Sequence, residues 1–508
     1  MVLRSFLVRS KYRGLGPTLA GAGIGGVRYL QTVIPVNIKE LFSHPPQLNS
    51  LVTARGHIKS IRHFKKVGFI DLSDGSHYRN MNVVLSSPDS TLSALNLKVG
   101  QSVSVTGQWV ESKGAQKYEI SYSPDDPNQE LRIIGNVTES YPIQKKSHTL
   151  QFLRNVPTLR HRTSTLASVL RLRSFAETKL IEFFNAHNFI KVSPPIITSS
   201  DCEGAGEQFV VESNKKSSSA GVHPSFFGGK TYLTVSTQLH LEVLAASLNR
   251  VWTLTPCFRA EDSNTNRHLS EFWMLEAEYC YVDKLSELTD FTEDLIRYVT
   301  TSLVDQNQNS VSGASLDLLA ARYKKEDKAA LQRRWETILV PHRWPSVTYE
   351  NAIGIINEHK PRGKADKALE WGDDISTEQE KWIAGEHFKS PVFITDYPAS
   401  QKPFYMKRSE KYDPAKPTVA CYDLLLPEIG ELVGGSLREH NYEQLAQNMD
   451  LLHMNKEDMD WYLSTRIEGS VPHGGFGLGF ERLISFLSAL ENVKDTIPFP
   501  RVPESCPC

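Results

Sequence analysis

The chain has 508 residues, with 57 basic and 58 acidic side chains and a formal net charge of -1. This length suits two or three domains around a large core, and the neutral balance means that a polyanion could be met only by local basic patches. The six cysteines form no Cys-x-x-Cys pair and no His/Cys group at zinc spacing, which speaks for a reducing compartment and against a structural metal or disulfide framework. Cys506 and Cys508 close the chain as an unpaired tail.

Residues 1–39 contain no Asp or Glu, while Arg4, Arg9, Lys11, Arg13 and Arg28 stand among Leu, Val, Phe and Ser. An acid-free, arginine-bearing leader reads as a mitochondrial transit peptide, here residues 1–30, addressed to the matrix. A basic RNA-binding arm is the alternative. No apolar run is long enough to cross a membrane.

From Leu51 to Val137 the pattern is short and alternating. Ala54–Ile61, Val67–Leu72, Met81–Leu85, Ser102–Val110 and Tyr118–Ser123 read as five strands separated by Asp-Gly, Val-Gly and Lys-Gly turns. Five strands at this spacing predict an OB barrel over residues 45–137, a fold that binds single-stranded nucleic acid on one face. Arg55, Lys59, Arg62, Lys65 and Lys66 form a basic stripe, and Phe69 is a candidate stacking ring.

Residues 138–160 read as a hinge, and residues 161–508 as a second domain with an insertion around 305–345. Arg173–His187 is an amphipathic helix by spacing, followed by an extended Phe189–Ile197. In Val251–Ala260 a period of two puts Thr255, Cys257, Arg259 and then Glu261 on one face; in the next run Phe272, Met274, Glu276 and Glu278 share a face. Pairing the runs gathers an arginine, carboxylates and an aromatic ring, a surface suited to phosphate and a planar base. In Gly474–Leu490, small and large residues alternate up to Gly479, then Leu483, Phe486, Leu487 and Leu490 take helical spacing. Arg482 falls in the first helical turn, where the dipole disfavours a cation unless an anion is there to hold.

These two segments, in this order, resemble motifs 2 and 3 of the class II aminoacyl-tRNA synthetases, in the aspartyl/asparaginyl/lysyl subgroup. The helix and strand at Arg173–Ile197 resemble motif 1, which builds a homodimer interface in that class. The resemblance implies an α+β fold: an N-terminal OB barrel that reads the anticodon and a catalytic domain with an antiparallel sheet flanked by helices. It implies Arg259 and Arg482 as catalytic contacts to ATP, with Glu261 on the adenine amino group, Phe272 stacked on the ring, and His268, Glu431 and Gly479 completing the ATP site. Asp423 and Glu431 resemble the carboxylates that carry Mg²⁺. Glu203 and Gln238 match the grip on the amino acid's ammonium group, with Ser236 beside them; Phe69 and Glu119 match the anticodon contacts, and Asn82 stands where relatives commonly have Gln, with the amide kept on a shorter reach.

An asparagine carboxamide wants a guanidinium on one side and a carboxylate on the other, which Arg438 and Glu276 supply; an aspartate would set a second carboxylate against Glu276. Aspartate enzymes of the subgroup place a lysine where Leu241 stands and an aspartate at Glu276. The implied reaction is therefore attachment of L-asparagine to tRNA(Asn). An aspartyl enzyme, an inactive RNA-binding paralogue and an ATP-dependent amidating enzyme are the rival readings. Gly228-Gly229-Lys230-Thr231 imitates the end of a P-loop but reads as a turn into a strand, and His240 and Glu242 read as structural rather than metal ligands.

Overall fold

The computed structural model describes residues 34–114, 116–200, 208–213, 226–304, 313–322, 324–360, 367–411 and 413–508. Glu203 and the predicted transit segment lie outside the described residues.

The N-terminal strands are β1 (Leu51–Phe64), β2 (Val67–Ser73), β3 (Met81–Leu85), β4 (Ser102–Glu111), β5 (Tyr118–Tyr122) and β6 (Glu130–Gly135). They run in the order β1-β2-β3-β5-β4, and β1 pairs back onto β4 to close a five-stranded ring. Alternate residues turn inward to a core that includes Ile58, Ile70, Leu72, Val83, Val105, Trp109 and Ile120, which is what alternation in a closed barrel requires. The sequence pattern did not separate β6, which continues along β4 beyond the end of β5. Lys59 also departs from the predicted stripe. Its ammonium donates to the Arg162 carbonyl, so it ties the barrel to the following segment instead of facing solvent with Arg55 and Lys65.

Residues 138–160 carry a short helix, Leu150–Arg154, whose guanidinium grips the buried carboxylate of Asp495, with Nε at 3.0 Å. Arg160, 1% exposed, donates to the carbonyls of Lys494, Ile497 and Pro498. The connection is thereby anchored to the far end of the chain.

The second domain holds β7 (Ile190–Lys191), β8 (Ile197–Thr198), β9 (Tyr232–Leu233), β10 (Arg250–Phe258), β11 (Glu271–Cys280), β12 (Ser346–Thr348), β13 (Val392–Thr395), β14 (Cys421–Leu426), β15 (Gly430–Leu437) and β16 (His473–Gly479). Eight of these form one sheet in the order β12-β13-β14-β15-β16-β11-β10-β7, antiparallel except for the pairings at its two ends. The helix predicted from Arg173 starts earlier, at Ser164, and runs to Ala186. The extended stretch after it keeps ladder pairing only in β7 and β8.

Helices Ser164–Ala186, Leu285–Val304, Gly313–Ala320, Lys325–Ile338 and Phe480–Ser488 share the main apolar core with residues of the sheet. Residues of the insertion cover the C-terminal end of Phe480–Ser488, since the last carbonyls of a helix need donors from outside it. Arg322 donates to the Ser488 carbonyl, Trp335 Nε1 to that of Leu487 at 2.9 Å, and Arg334 to that of Ser485 at 3.3 Å.

β16 can lie against β11 only because it lacks side chains at key points. A Cβ on Gly475 would stand 2.1 Å from Glu278 Oε2 and 2.2 Å from the Ala277 carbonyl oxygen. Gly475→Ala is accordingly expected to destabilise the domain by about 1–3 kcal/mol, the usual cost of overpacking, as read from a shifted denaturant midpoint. An unchanged midpoint would show that the two strands have room to part.

Candidate active site

The β10–β11 hairpin sets the first half of the site. Thr253 pairs with Glu276, Thr255 with Met274 and Cys257 with Phe272. Arg259 follows the end of β10, its amide donating to the Ser270 carbonyl at 3.0 Å. Its guanidinium lies 5.5 Å from the centre of the Phe272 ring and 3.8 Å from Glu261. In the loop between the strands, Ser263 Oγ and Thr265 Oγ1 meet His268 Nδ1 at 2.8 and 2.9 Å. Burial lowers the His268 pKa, and Arg482, Arg267 and Arg259 add to this against the pull of Glu261.

Gly479 caps the helix Phe480–Ser488, so Arg482 is its third residue, with Nη1 donating to the Glu431 carbonyl at 3.1 Å and facing the Glu431 carboxylate at 3.3 Å. Arg259, Glu261, His268, Phe272, Gly479 and Arg482 all line one cavity of about 110 Å³. The sequence reading missed Arg267, which lines it too. Arg267 lies 3.5 Å from Glu380, and its buried Nε has no hydrogen-bond partner among the described residues. Its pKa is lowered by burial and then by the neighbouring Arg482. Three guanidiniums beside an aromatic face are the donors that a polyphosphate attached to a base requires.

A second cavity, about 310 Å³, meets the first at Arg259, Met274, Glu431 and Gly477, which line both. Ser236, Gln238, Leu241, Glu276 and Arg438 line it. Arg438, 3% exposed, is clamped by Glu278 through Nε at 3.1 Å and Nη2 at 2.9 Å, and its Nη1 donates to Ser436 Oγ at 2.6 Å. Glu276 sits at the start of helix Gln238–Leu248, where it accepts from the Thr237 amide at 3.0 Å and from the hydroxyls of Ser236 and Thr237. Burial raises the Glu276 pKa, and these hydrogen bonds and Arg438 oppose the rise. Ser236 lines this cavity beside Gln238, and its hydroxyl proton goes to Glu276. Glu278, which had no assigned role, is what fixes Arg438.

Asp423 on β14 and Glu431 on β15 converge. The point that a Cβ on Gly434 would occupy is 3.5 Å from Asp423 Oδ1 and 3.8 Å from Glu431 Oε1. Lys402, a second residue that the sequence reading passed over, holds Asp423 at 2.7 Å. Burial raises the Asp423 pKa, Lys402 opposes it and the Glu431 charge adds to it. Burial would also raise Glu431, but Arg482, Lys402 and Arg267 prevail and hold it below the usual carboxylate range. Two converging carboxylates with cations at their backs form a donor set that a hard divalent cation such as Mg²⁺ fits.

On the barrel, Phe69, Asn82 and Glu119 are half-buried members of adjacent strands on the outer face, with Asn82 opposite Asp71 and Phe69 opposite Val84. The Arg62 guanidinium lies 5.2 Å from the Phe69 ring centre, and Glu119 accepts from Ser112 Oγ at 2.8 Å.

Residues 150–503 match the family of tRNA synthetases class II (D, K and N), and residues 52–124 match the OB-fold nucleic acid binding domain. This chain belongs to the class II tRNA synthetases. Among its relatives in that family, the mitochondrial asparagine–tRNA ligase of Saccharomyces cerevisiae is 45% identical over 468 residues, 90% of this chain and 92% of the relative. That of Schizosaccharomyces pombe is 41% identical over 478 residues, 92% of this chain and 97% of its own. The crystal structure of asparaginyl-tRNA synthetase from Pyrococcus horikoshii complexed with asparaginyl-adenylate aligns with a TM-score of 0.77 and 27% identity, covering 94% of this chain and all of that one.

For this synthetase the unused Nε of Arg267 gives a specific expectation. Arg267→Ala should weaken ATP binding by about 1.5–3 kcal/mol, the worth of a hydrogen bond to a charged group, as measured by calorimetric titration of the full chain. Unchanged ATP affinity would mean that Arg267 serves only to hold Glu380.

Proposed function

We propose that this chain activates L-asparagine with ATP, releasing pyrophosphate, and transfers the asparaginyl group from the adenylate to the terminal ribose of tRNA(Asn) in the mitochondrial matrix. One observation carries the reading: a cavity lined by three arginines and an aromatic ring adjoins, at Arg259, a second cavity lined by a buried guanidinium and a buried carboxylate. An amide, with one accepting and one donating end, is complementary to that pair. Leu241 lines the second cavity where aspartate enzymes of the subgroup place a lysine, which leaves aspartate's extra charge unmatched beside Glu276.

The chemistry needs no protein nucleophile. The substrate carboxylate attacks the α-phosphorus in line, so the residues act by positioning and by balancing charge. Arg259, shared by both cavities, holds the attacking carboxylate and the α-phosphate together. Phe272 and Glu261 seat the adenine, while Arg482, His268 and Arg267 take the outer phosphates. Asp423 and Glu431 would hold Mg²⁺, which when bound neutralises phosphate charge. Glu276 and Arg438 orient the carboxamide. Phe69, Asn82 and Glu119 offer a stacking ring and polar edges to anticodon bases, and residues 1–30 supply the address. A homodimer is supported by β7, which among the described residues pairs within the sheet on one side only, and by the exposed residues Ile190, Ile196, Ile197, Leu248 and Tyr281.

Pyrophosphate exchange into ATP, run with asparagine and aspartate in parallel, tests the amino acid: asparagine should support exchange and aspartate should not. Arg259→Ala and Arg482→Ala should each abolish the exchange while the fold is retained. Preference for aspartate, or near-normal exchange in either variant, would overturn the reading.

Phe69→Ala separates the barrel from the chemistry. Aminoacylation of tRNA should weaken by about 1–3 kcal/mol, the worth of one base stack, with exchange almost intact. Equal loss in both assays would make Phe69 a packing residue.

A further inference from the structure

Glu242 lies one helical turn after Gln238 on helix Gln238–Leu248, with its side chain 1% exposed. Its two oxygens face opposite ways. Oε1 accepts from Gln238 Nε2 at 3.0 Å. Oε2 collects the Tyr462 hydroxyl at 2.7 Å, Arg466 Nη2 at 2.6 Å and His473 Nε2 at 3.0 Å. Burial opposes its ionisation, but Arg466, His473 and Arg438 prevail and hold the carboxyl well below its usual range. Ligand atoms of Glu242, Glu278 and His473 come within 4.8 Å of one another. Arg466 and Arg438 already supply the positive charge there, so the cluster is a salt-bridge network and not a metal centre.

An ionised carboxylate only accepts hydrogen bonds, whereas a primary amide accepts at one end and donates at the other. With one N–H of its NH₂ tied to Glu242, Gln238 keeps its carbonyl oxygen on the opposite side of the amide, in the cavity that it lines. We infer that Glu242 is a positioning residue that sets the polarity of Gln238, so that the substrate's α-ammonium group meets a carbonyl oxygen and never an NH₂. This rests on the proposed placement of that ammonium group at Gln238. The same carboxylate stands 4.0 Å from Arg438 Nε, which places one buried charge behind both the ammonium contact and the carboxamide contact.

Glu242→Gln reverses the arrangement. Three donors converge on the Oε2 side, so the new amide keeps its oxygen there and turns its NH₂ toward Gln238. Gln238 must then flip and present its own NH₂ to the ammonium group.

The test compares asparagine with succinamate, which has the same carboxylate and carboxamide but no amino group. Dissociation constants for both are measured on the full-length enzyme, with ATP affinity as the control for general damage. Wild type should bind asparagine at least tenfold more tightly than succinamate, and Glu242→Gln should shrink that ratio at least tenfold by weakening asparagine alone. Glu242→Asp keeps the charge that Arg466 needs and withdraws it from Gln238; it covers the case in which the glutamine variant does not fold, and should narrow the ratio in the same direction. A wild type indifferent to the amino group would sink the placement at Gln238. A wild type that discriminates, with variants whose ratio is unchanged, would sink the role of Glu242 and leave the placement standing.

Discussion

Charge buried behind the second cavity is the constraint around which this catalytic domain is built. Glu276 and Glu278 on β11, Glu242 on the neighbouring helix, Arg438 and Arg466 are all under one-tenth exposed. Isolated ions in such a place would cost several kcal/mol each, so they persist only as a mutually satisfied set. Glu278 is held by Arg438, Glu242 by Arg466, Tyr462 and His473, and Glu276 by backbone and hydroxyl donors. The glycines of β16 belong to the same solution, since a side chain at Gly475 would occupy the space of the Glu278 carboxylate. Recognition of a small polar molecule then follows from groups whose positions are fixed before it arrives, which is where preorganised electrostatics gain their advantage over water.

The half of the site proposed for the nucleotide is organised differently. Its arginines are only partly paired, and Arg267 keeps a buried donor unused among the described residues. Repulsion among Arg267, Arg482 and Arg259 is relieved by Glu380, Glu431 and Glu261. One cavity therefore holds a buried network whose members satisfy one another, and the other an array of three arginines set against three glutamates.

Local pattern carried much of this into the sequence. The hairpin was legible because period-two alternation on both sides of a polar loop leaves one pairing that groups the charges, and Arg482 because the change of period marks a helix start. What was not legible depended on partners far along the chain. Glu278 meets Arg438 across 160 residues and Glu242 meets Arg466 across 224, and neither separation has a local signature. Lys402 and Arg267 sit in irregular segments where spacing says nothing about direction. Lys59 looked like part of a solvent-facing stripe because alternation gives the face of a strand but not what packs on it. β6 was lost because its apolar positions answer to a strip of β4 beyond β5, which only the folded barrel reveals.

The insertion helices give the domain a mechanical property. Helix Phe480–Ser488 is held at its C-terminal end by Arg322, Arg334 and Trp335, and near its start by the Arg173–Glu481 ion pair at 2.6 Å. A short rod fixed at both ends transmits displacement rather than absorbing it. Arg482 therefore has little freedom to drift or swing with its backbone, and Arg322, Arg334 and Trp335, far from it in the chain, become part of the bearing on which it is mounted. Change in those helices would be felt at Arg482 as a loss of alignment without any loss of the side chain itself.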